Sequence, residues 1–296
     1  MKLLTLAIAG LLGFVISTGG SELAQPLKIP GIENAFRVAE KIYSGSQPDG
    51  DAAFTALAEL GVKTIVSVDG AKPDIQAARK HGLRYVHLPI SYDGVPTNRV
   101  AELAKLSASK EAIFVHCHHG QHRGPAAVAI ICLAGENWTT NRAEAWMRQA
   151  GTSDDYPGLY RVALDFKAPS QAQLAAVEEL PEAAQASPIV DAMVKIDGHF
   201  ERLKKLQKAG WNNVDDPTPM SPEHEATQLL EQLRELSRTD TTARLKDYRV
   251  MLHQAERSAQ NLRHLVKQPV DINALNLAFK QSSESCAACH RTYRNE

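Results

Sequence analysis

Apolar residues follow two different spacings along this chain. Over residues 30–168, short apolar or β-branched runs alternate with amphipathic stretches; from residue 188 onward apolar residues recur every third or fourth position. In the first region "KTIVSV" (63–68), "RYVHLPI" (84–90) and "AIFVHC" (112–117) are bounded by turn residues and predict buried strands. "AFRVAEKIYSGSQ" (35–47) predicts a hairpin ended by Pro48, after which Asp49 caps a helix through Leu60 that Gly61 stops. Further helices are expected at about 73–81, 97–107, 124–135 and 141–150. This alternation predicts an α/β domain over 30–168 with a mainly parallel sheet and ligand sites at the carboxyl ends of its strands.

Residues 169–187 are rich in Ala, Gln, Glu and Pro and read as a linker with a short helix. Beyond it, Ile189, Met193, Ile196, Phe200 and Leu203 form one apolar stripe, and Ala226, Leu229, Leu233 and Leu236 form a second. Ser221 and Pro222 supply the cap and first turn for that second helix. Leu245, Tyr248, Leu252, Ala255, Ala259 and Leu262 make a third stripe. Leu275, Phe279, Ser282, Cys286, His290 and Tyr293 make a fourth. The expectation for 188–296 is an all-α antiparallel four-helix bundle.

The ends and the composition narrow the function. Lys2, the apolar run "LLTLAIAGLLGFVI" (3–16) and the small residues "STGGS" have the layout of a secretory signal peptide spanning 1–20, so the mature chain is expected to be periplasmic or otherwise exported. A retained membrane anchor is the competing reading of that run. A net charge of −1 provides no positive field for nucleic acid. An exported chain would be expected to place its four cysteines, at 117, 132, 286 and 289, in disulfides. Two of them instead stand in "CAACH", the spacing of covalent haem attachment, with zinc or a disulfide as alternatives. Cys132 lies in an apolar helix and reads as a small buried hydrophobe.

Cys117 closes a strand in "VHCHHGQHRGP" (115–125), and Arg123 opens the next helix. Such a turn aims the backbone N–H groups of His118, His119, Gly120, Gln121, His122 and Arg123 inward, making a nest for a phosphate dianion. The same field favours a thiolate on Cys117. Arg123 can fork two N–H groups onto phosphate oxygens. A metal held by His116, His118, His119, His122 and Cys117 is the competing chemistry, and a phosphate pocket without turnover is another.

Cys, five residues and Arg, with His before the Cys and Gly three after it, resembles the signature loop of the protein tyrosine and dual-specificity phosphatases. "GVKTIVSVDG" and "GLRYVHLPISYDGVP" resemble the compact bacterial members. The resemblance implies a metal-independent phosphoric monoester hydrolase acting on a phosphorylated substrate, with Cys117 as nucleophile, Arg123 as phosphate ligand and Asp93 as general acid. Asp69 and Asp74 are rival acids, Asp69 being read as shaping the "DGAKPD" turn. One departure stands out. Gly124 occupies the place where the family has Ser or Thr, whose hydroxyl assists departure of the thiolate.

"CAACHRTYR", preceded by "LNLAFKQSSES", resembles the end of the last helix of cytochrome c′ and its low-spin relatives; "AMVKIDGHFERL" (192–203) is similar to their first helix. The resemblance implies thioethers from Cys286 and Cys289 to haem c, with His290 as proximal iron ligand. Met193 falls where low-spin relatives carry a distal methionine ligand. It also implies a redox partner or a small gas at the iron, and a homodimer through the bundle. The chain is therefore expected to join a phosphatase to a haem bundle. The alternative is a non-catalytic phosphate-binding or docking domain on an electron-transfer or gas-binding cytochrome.

Overall fold

A computed structural model describes residues 24–185, 188–215, 219–239 and 246–294. The apolar segment 3–16 and Leu245 of the third stripe lie outside the described residues.

Strands β1 (Gln25–Ile29), β2 (Ile32–Ala39) and β3 (Ile42–Ser46) open the chain, followed by α1 (Asp51–Glu59), β4 (Val62–Ser67), α2 (Ile75–Lys80) and β5 (Arg84–His87). Then come α3 (Thr97–Leu106), β6 (Ala112–Cys117), α4 (Arg123–Gly135), α5 (Thr140–Gln149), α6 (Pro157–Leu164) and α7 (Gln171–Ala175). The six strands form one sheet in the order β1-β2-β3-β6-β4-β5. The first two pairings are antiparallel, and β3, β6, β4 and β5 run parallel.

Both faces of the parallel strands are covered, which explains their unbroken apolar runs. Ile65, Tyr85 and Phe114 point to one face and pack with Leu57 and Ala78 of the flanking helices. Val66, Val86 and Val115 point to the other and pack with Ile130, Ile131 and Met147. Strand β6 lies between β3 and β4, so the chain leaving it is gripped from both sides. Gln47 N–H donates to the His118 carbonyl (3.1 Å) and Val68 N–H to the His116 carbonyl (2.9 Å).

Two local expectations change. Asp49 does not cap α1: its N–H is spent on the Gly31 carbonyl at 2.9 Å, and Gly50, at φ 74°, takes the cap position with no side-chain bond. The stretch read as a linker is held against the α/β half as far as Ala184. His87 N–H donates to the Pro181 carbonyl (2.8 Å), and Ala184 N–H to His87 Nδ1 (3.0 Å).

The remaining helices are α8 (Pro188–Lys208), α9 (Pro222–Thr239), α10 (Lys246–Leu265) and α11 (Ile272–Tyr293), with the two-residue strands β7 (Val214–Asp215) and β8 (Pro219–Met220) between α8 and α9. Ser221 Oγ accepts from His224 N–H at the start of α9 (3.2 Å). Consecutive helices pack together, and Leu203, Leu229, Leu230, Leu252, Leu262 and Leu275 share one core. Phe200 of α8 stacks on Phe279 of α11 with ring centroids 4.8 Å apart. Among the described residues no helix is long and apolar enough to cross a membrane.

The loop after β6 passes close over β3 at Gly120. Its φ is +69°, and a Cβ there would fall 2.3 Å from the Gly45 carbonyl carbon of β3. Gly120→Ala is expected to lower unfolding free energy by about 2 kcal/mol or more, from the left-handed backbone and the displaced strand together. Urea denaturation of the variant checks this.

Candidate active site

The loop from Cys117 to Arg123 is held from below by residues remote in sequence. Asn34 Nδ2 donates to the carbonyls of Gly120 (3.0 Å) and Ala150 (2.8 Å). Thr152 Oγ1 donates to the Gln121 carbonyl at 2.8 Å. Cys117 ends up 3 % exposed at the carboxyl end of the central strand. A Cβ added at Gly124 would lie 3.5 Å from its Sγ. The residue after the arginine therefore faces the sulfur, and here it brings no hydroxyl.

Asp69, read from the sequence as a turn residue, does more. Its Oδ1 accepts from Ala71 N–H at 2.9 Å, which shapes the expected turn. Its Oδ2 accepts from His118 N–H (2.7 Å) and from Arg123 (2.8 Å). Burial would push this carboxyl up, but Arg123 first, then Ala71 N–H and His118, hold it below the usual carboxylate range. It stays ionised and so has no proton to give. Asp74 caps α2 through Ala77 N–H (2.9 Å). Neither rival is placed as an acid.

The nest therefore loses its first donor, since the N–H of His118 is already bound to Asp69. Among the described residues no protein acceptor takes the N–H groups of residues 119–123. Burial works against the Arg123 cation, but Asp69, Tyr92 and Cys117 more than offset it and keep it charged. Tyr92 covers it, with the guanidinium carbon 4.7 Å from the ring centroid. Arg123 Nε is buried with no hydrogen-bond partner.

Asp93 follows Tyr92 on an exposed loop. That loop is seated on α6 so closely that a Cβ at Gly158 would collide with the Asp93 backbone carbonyl.

The loop histidines diverge. His116 is buried behind Cys117, stacked on Phe114 with ring centroids 6.0 Å apart, and its Nε2 has no partner. Burial pushes it down to about 4. His118 Nε2 reaches Asp197 of α8 at 3.3 Å. His119 lies against His118, ring centroids 4.3 Å apart. His122 packs on Tyr156 (4.8 Å) and accepts from Ser153 N–H at Nδ1 (3.3 Å). Burial, then Arg294 and Arg123, push His122 down to about 4. Among the described residues no group of three or more His, Cys, Asp or Glu side chains is arranged to hold a metal ion.

On α11, Cys286 and Cys289 are free thiols one turn apart, Cys289 buried and Cys286 half-buried. His290 is half-buried beside them, and burial followed by Arg294 holds its imidazole below the ordinary range, favouring the neutral, ligating form. Met193 is half-buried against the helical core. Asp197, one turn after Met193, acts electrostatically on both Cys286 and His290. Two thiols followed directly by an imidazole on one helix turn are the donor set of covalent haem, so the residues present fit that group.

No family model and no curated protein matches the chain. Among solved structures the α/β half is similar to Pseudomonas aeruginosa TpbA, at 24 % identity over 52 % of this chain and 95 % of that one, TM-score 0.43. It is also similar to the core catalytic domain of the PP-IP phosphatase SIW14 from S. cerevisiae, at 19 % identity over 46 % and 86 %, TM-score 0.41. Human DUSP28 is similar at 18 % identity over 48 % and 97 %, TM-score 0.34.

Because His116 is neutral when folded but takes a proton near 6.5 when unfolded, acidification favours the unfolded chain. Stability is expected to fall as pH drops from 6.5 towards 4, this group contributing on the order of 3 kcal/mol. His116→Phe should flatten that part of the profile. Denaturation of both proteins across the same pH range measures the difference.

Proposed function

We propose that the α/β half is a cysteine-dependent phosphomonoester hydrolase. The observation that carries this reading is the buried Arg123 guanidinium beside Cys117, fixed by Asp69 through one nitrogen while its Nε has no acceptor. A buried donor without an acceptor is costly. A phosphate oxygen would satisfy it, and the N–H groups of His119, Gly120, Gln121 and His122 would take the others.

Cys117 Sγ, as thiolate, attacks phosphorus in line with the ester oxygen. The P–O bond breaks, and Asp93 gives its proton to the departing oxygen. Water then attacks the phosphocysteine, its proton returns to Asp93, and the S–P bond breaks to release phosphate. Gly124 brings no hydroxyl to that sulfur, so the second step is the slow one.

In the same reading α11 would carry haem c, held by thioethers from Cys286 and Cys289, with His290 and Met193 as the side chains that would bind its iron. Bound there, haem would supply a one-electron redox centre, or an iron site for a small gas if Met193 is displaced. The soft thioether of Met193 favours the reduced iron. Export behind the segment 1–20 accounts for a c-type site in this chain.

Cys117→Ser should abolish hydrolysis of a generic aryl phosphate, and Asp93→Ala should slow it most for poor leaving groups. Gly124→Ser should raise turnover and reduce the phosphocysteine trapped by rapid acid quench. Phosphate binding without hydrolysis by the unmutated protein would leave the docking function instead.

The haem assignment is tested by absorbance. The ferric protein should be low-spin with a weak far-red sulfur-to-iron band, and Met193→Leu should make it high-spin. A high-spin spectrum before mutation returns Met193 to the core, and absence of covalently bound haem removes the assignment of Cys286 and Cys289.

A further inference from the structure

The geometry points to a second anion-binding subsite at the mouth of the Cys117 loop, built by Arg294 with Tyr92 and Tyr156, which selects substrates carrying a second phosphate near the scissile one. This rests on the reading of the loop as a phosphate site and specifies its substrate class. The key residue comes from the end of the last described helix, far from the loop in sequence.

Arg294 caps α11 and reaches across to the α/β half. Its guanidinium carbon lies 3.9 Å from the Tyr92 ring centroid, and one terminal nitrogen donates to the Tyr156 hydroxyl at 3.1 Å. Tyr92 is the same ring that covers Arg123, at 4.7 Å. Two guanidinium groups therefore share one aromatic side chain, which places Arg294 within a ligand's length of the candidate phosphate nest.

The two arginines differ in how they are balanced. Arg123 has Asp69. Among the described residues no carboxylate forms an ion pair with Arg294, which is held by rings and one hydroxyl. A guanidinium presents five N–H donors, and the Tyr156 bond uses one of them.

The neighbourhood is cationic on the loop side. His122, between Tyr92 and Tyr156, has its protonation opposed first by burial and then by Arg294 and Arg123, with Asp155 acting weakly the other way. Asp155 is turned to the Ser153 hydroxyl at 2.9 Å. A monoester fills the nest alone; a ligand with a second phosphate could also engage Arg294 by a forked, charge-assisted contact.

The test uses full-length protein carrying Cys117→Ser, so that ligands bind without turnover, and titrates inorganic phosphate and pyrophosphate by calorimetry. Pyrophosphate is expected to bind at least about tenfold more tightly than phosphate. Arg294→Gln should weaken pyrophosphate about tenfold more than it weakens phosphate, with Arg294→Lys recovering part of the difference. Tyr156→Phe, which removes the hydroxyl that holds the guanidinium, should narrow the preference without deleting the charge. Equal affinity for the two anions, or equal weakening of both by Arg294→Gln, overturns the subsite while leaving the phosphatase reading standing. Failure of both anions to bind overturns the two together.

Discussion

The Asp69 carboxylate organises the α/β half of this molecule. It is 5 % exposed and gathers N–H donors from its own turn, from the first residue after Cys117 and from Arg123. A buried charge of either sign is tolerated only with a partner and further hydrogen bonds, and here each supplies the other's. The pair ties the end of β4 to the loop leaving β6, so that loop shape and arginine position are set by one carboxylate. It also leaves Arg123 half-engaged: anchored by one nitrogen, with its buried Nε still to be satisfied.

Around that pair, the parts of the fold with local signatures were legible from residue spacing. The parallel strands announce themselves as apolar runs because helices cover both faces. The Cys117–Arg123 loop is visible as a turn between a strand and a helix-opening residue. The Ser221–Pro222 helix start works as expected because a hydroxyl and a missing N–H act on the same turn. Asp49 misled because an N-cap is defined by backbone geometry as well as by side chain, and the left-handed Gly50 moved the helix start beyond it. The edge strand "QPLKI" carries a proline and little alternation, and α6 begins on "PG", so neither stands out by periodicity.

What spacing could not show is how residues from distant segments meet. Asp69 is readable as a turn former because its contact with Ala71 is two residues away; its contact with Arg123 spans 54 and leaves no local trace. The same applies to Asn34 beneath Gly120 and to Arg294 against Tyr156. The α8 face bearing Asp197 is a further case: its carboxylate pairs with His118 on one side and acts on His290 on the other. The two chemistries suggested by "VHCHHGQHRGP" and "CAACH" thus meet through a helix that contains neither motif.

The contact between Tyr156 and Arg294 spans 138 residues, and that interval has a meaning in time. Closing a contact over 138 residues is slower than closing the 54-residue contact of Asp69 with Arg123, because loop-closure entropy rises with the length of chain between the partners. The Cys117 loop can therefore close on Asp69 while the wall that Arg294 contributes does not yet exist. In folding, the α/β half can thus pass through a stage with the loop formed and Arg294 undocked, and the preference proposed for that arginine arrives only when α11 packs.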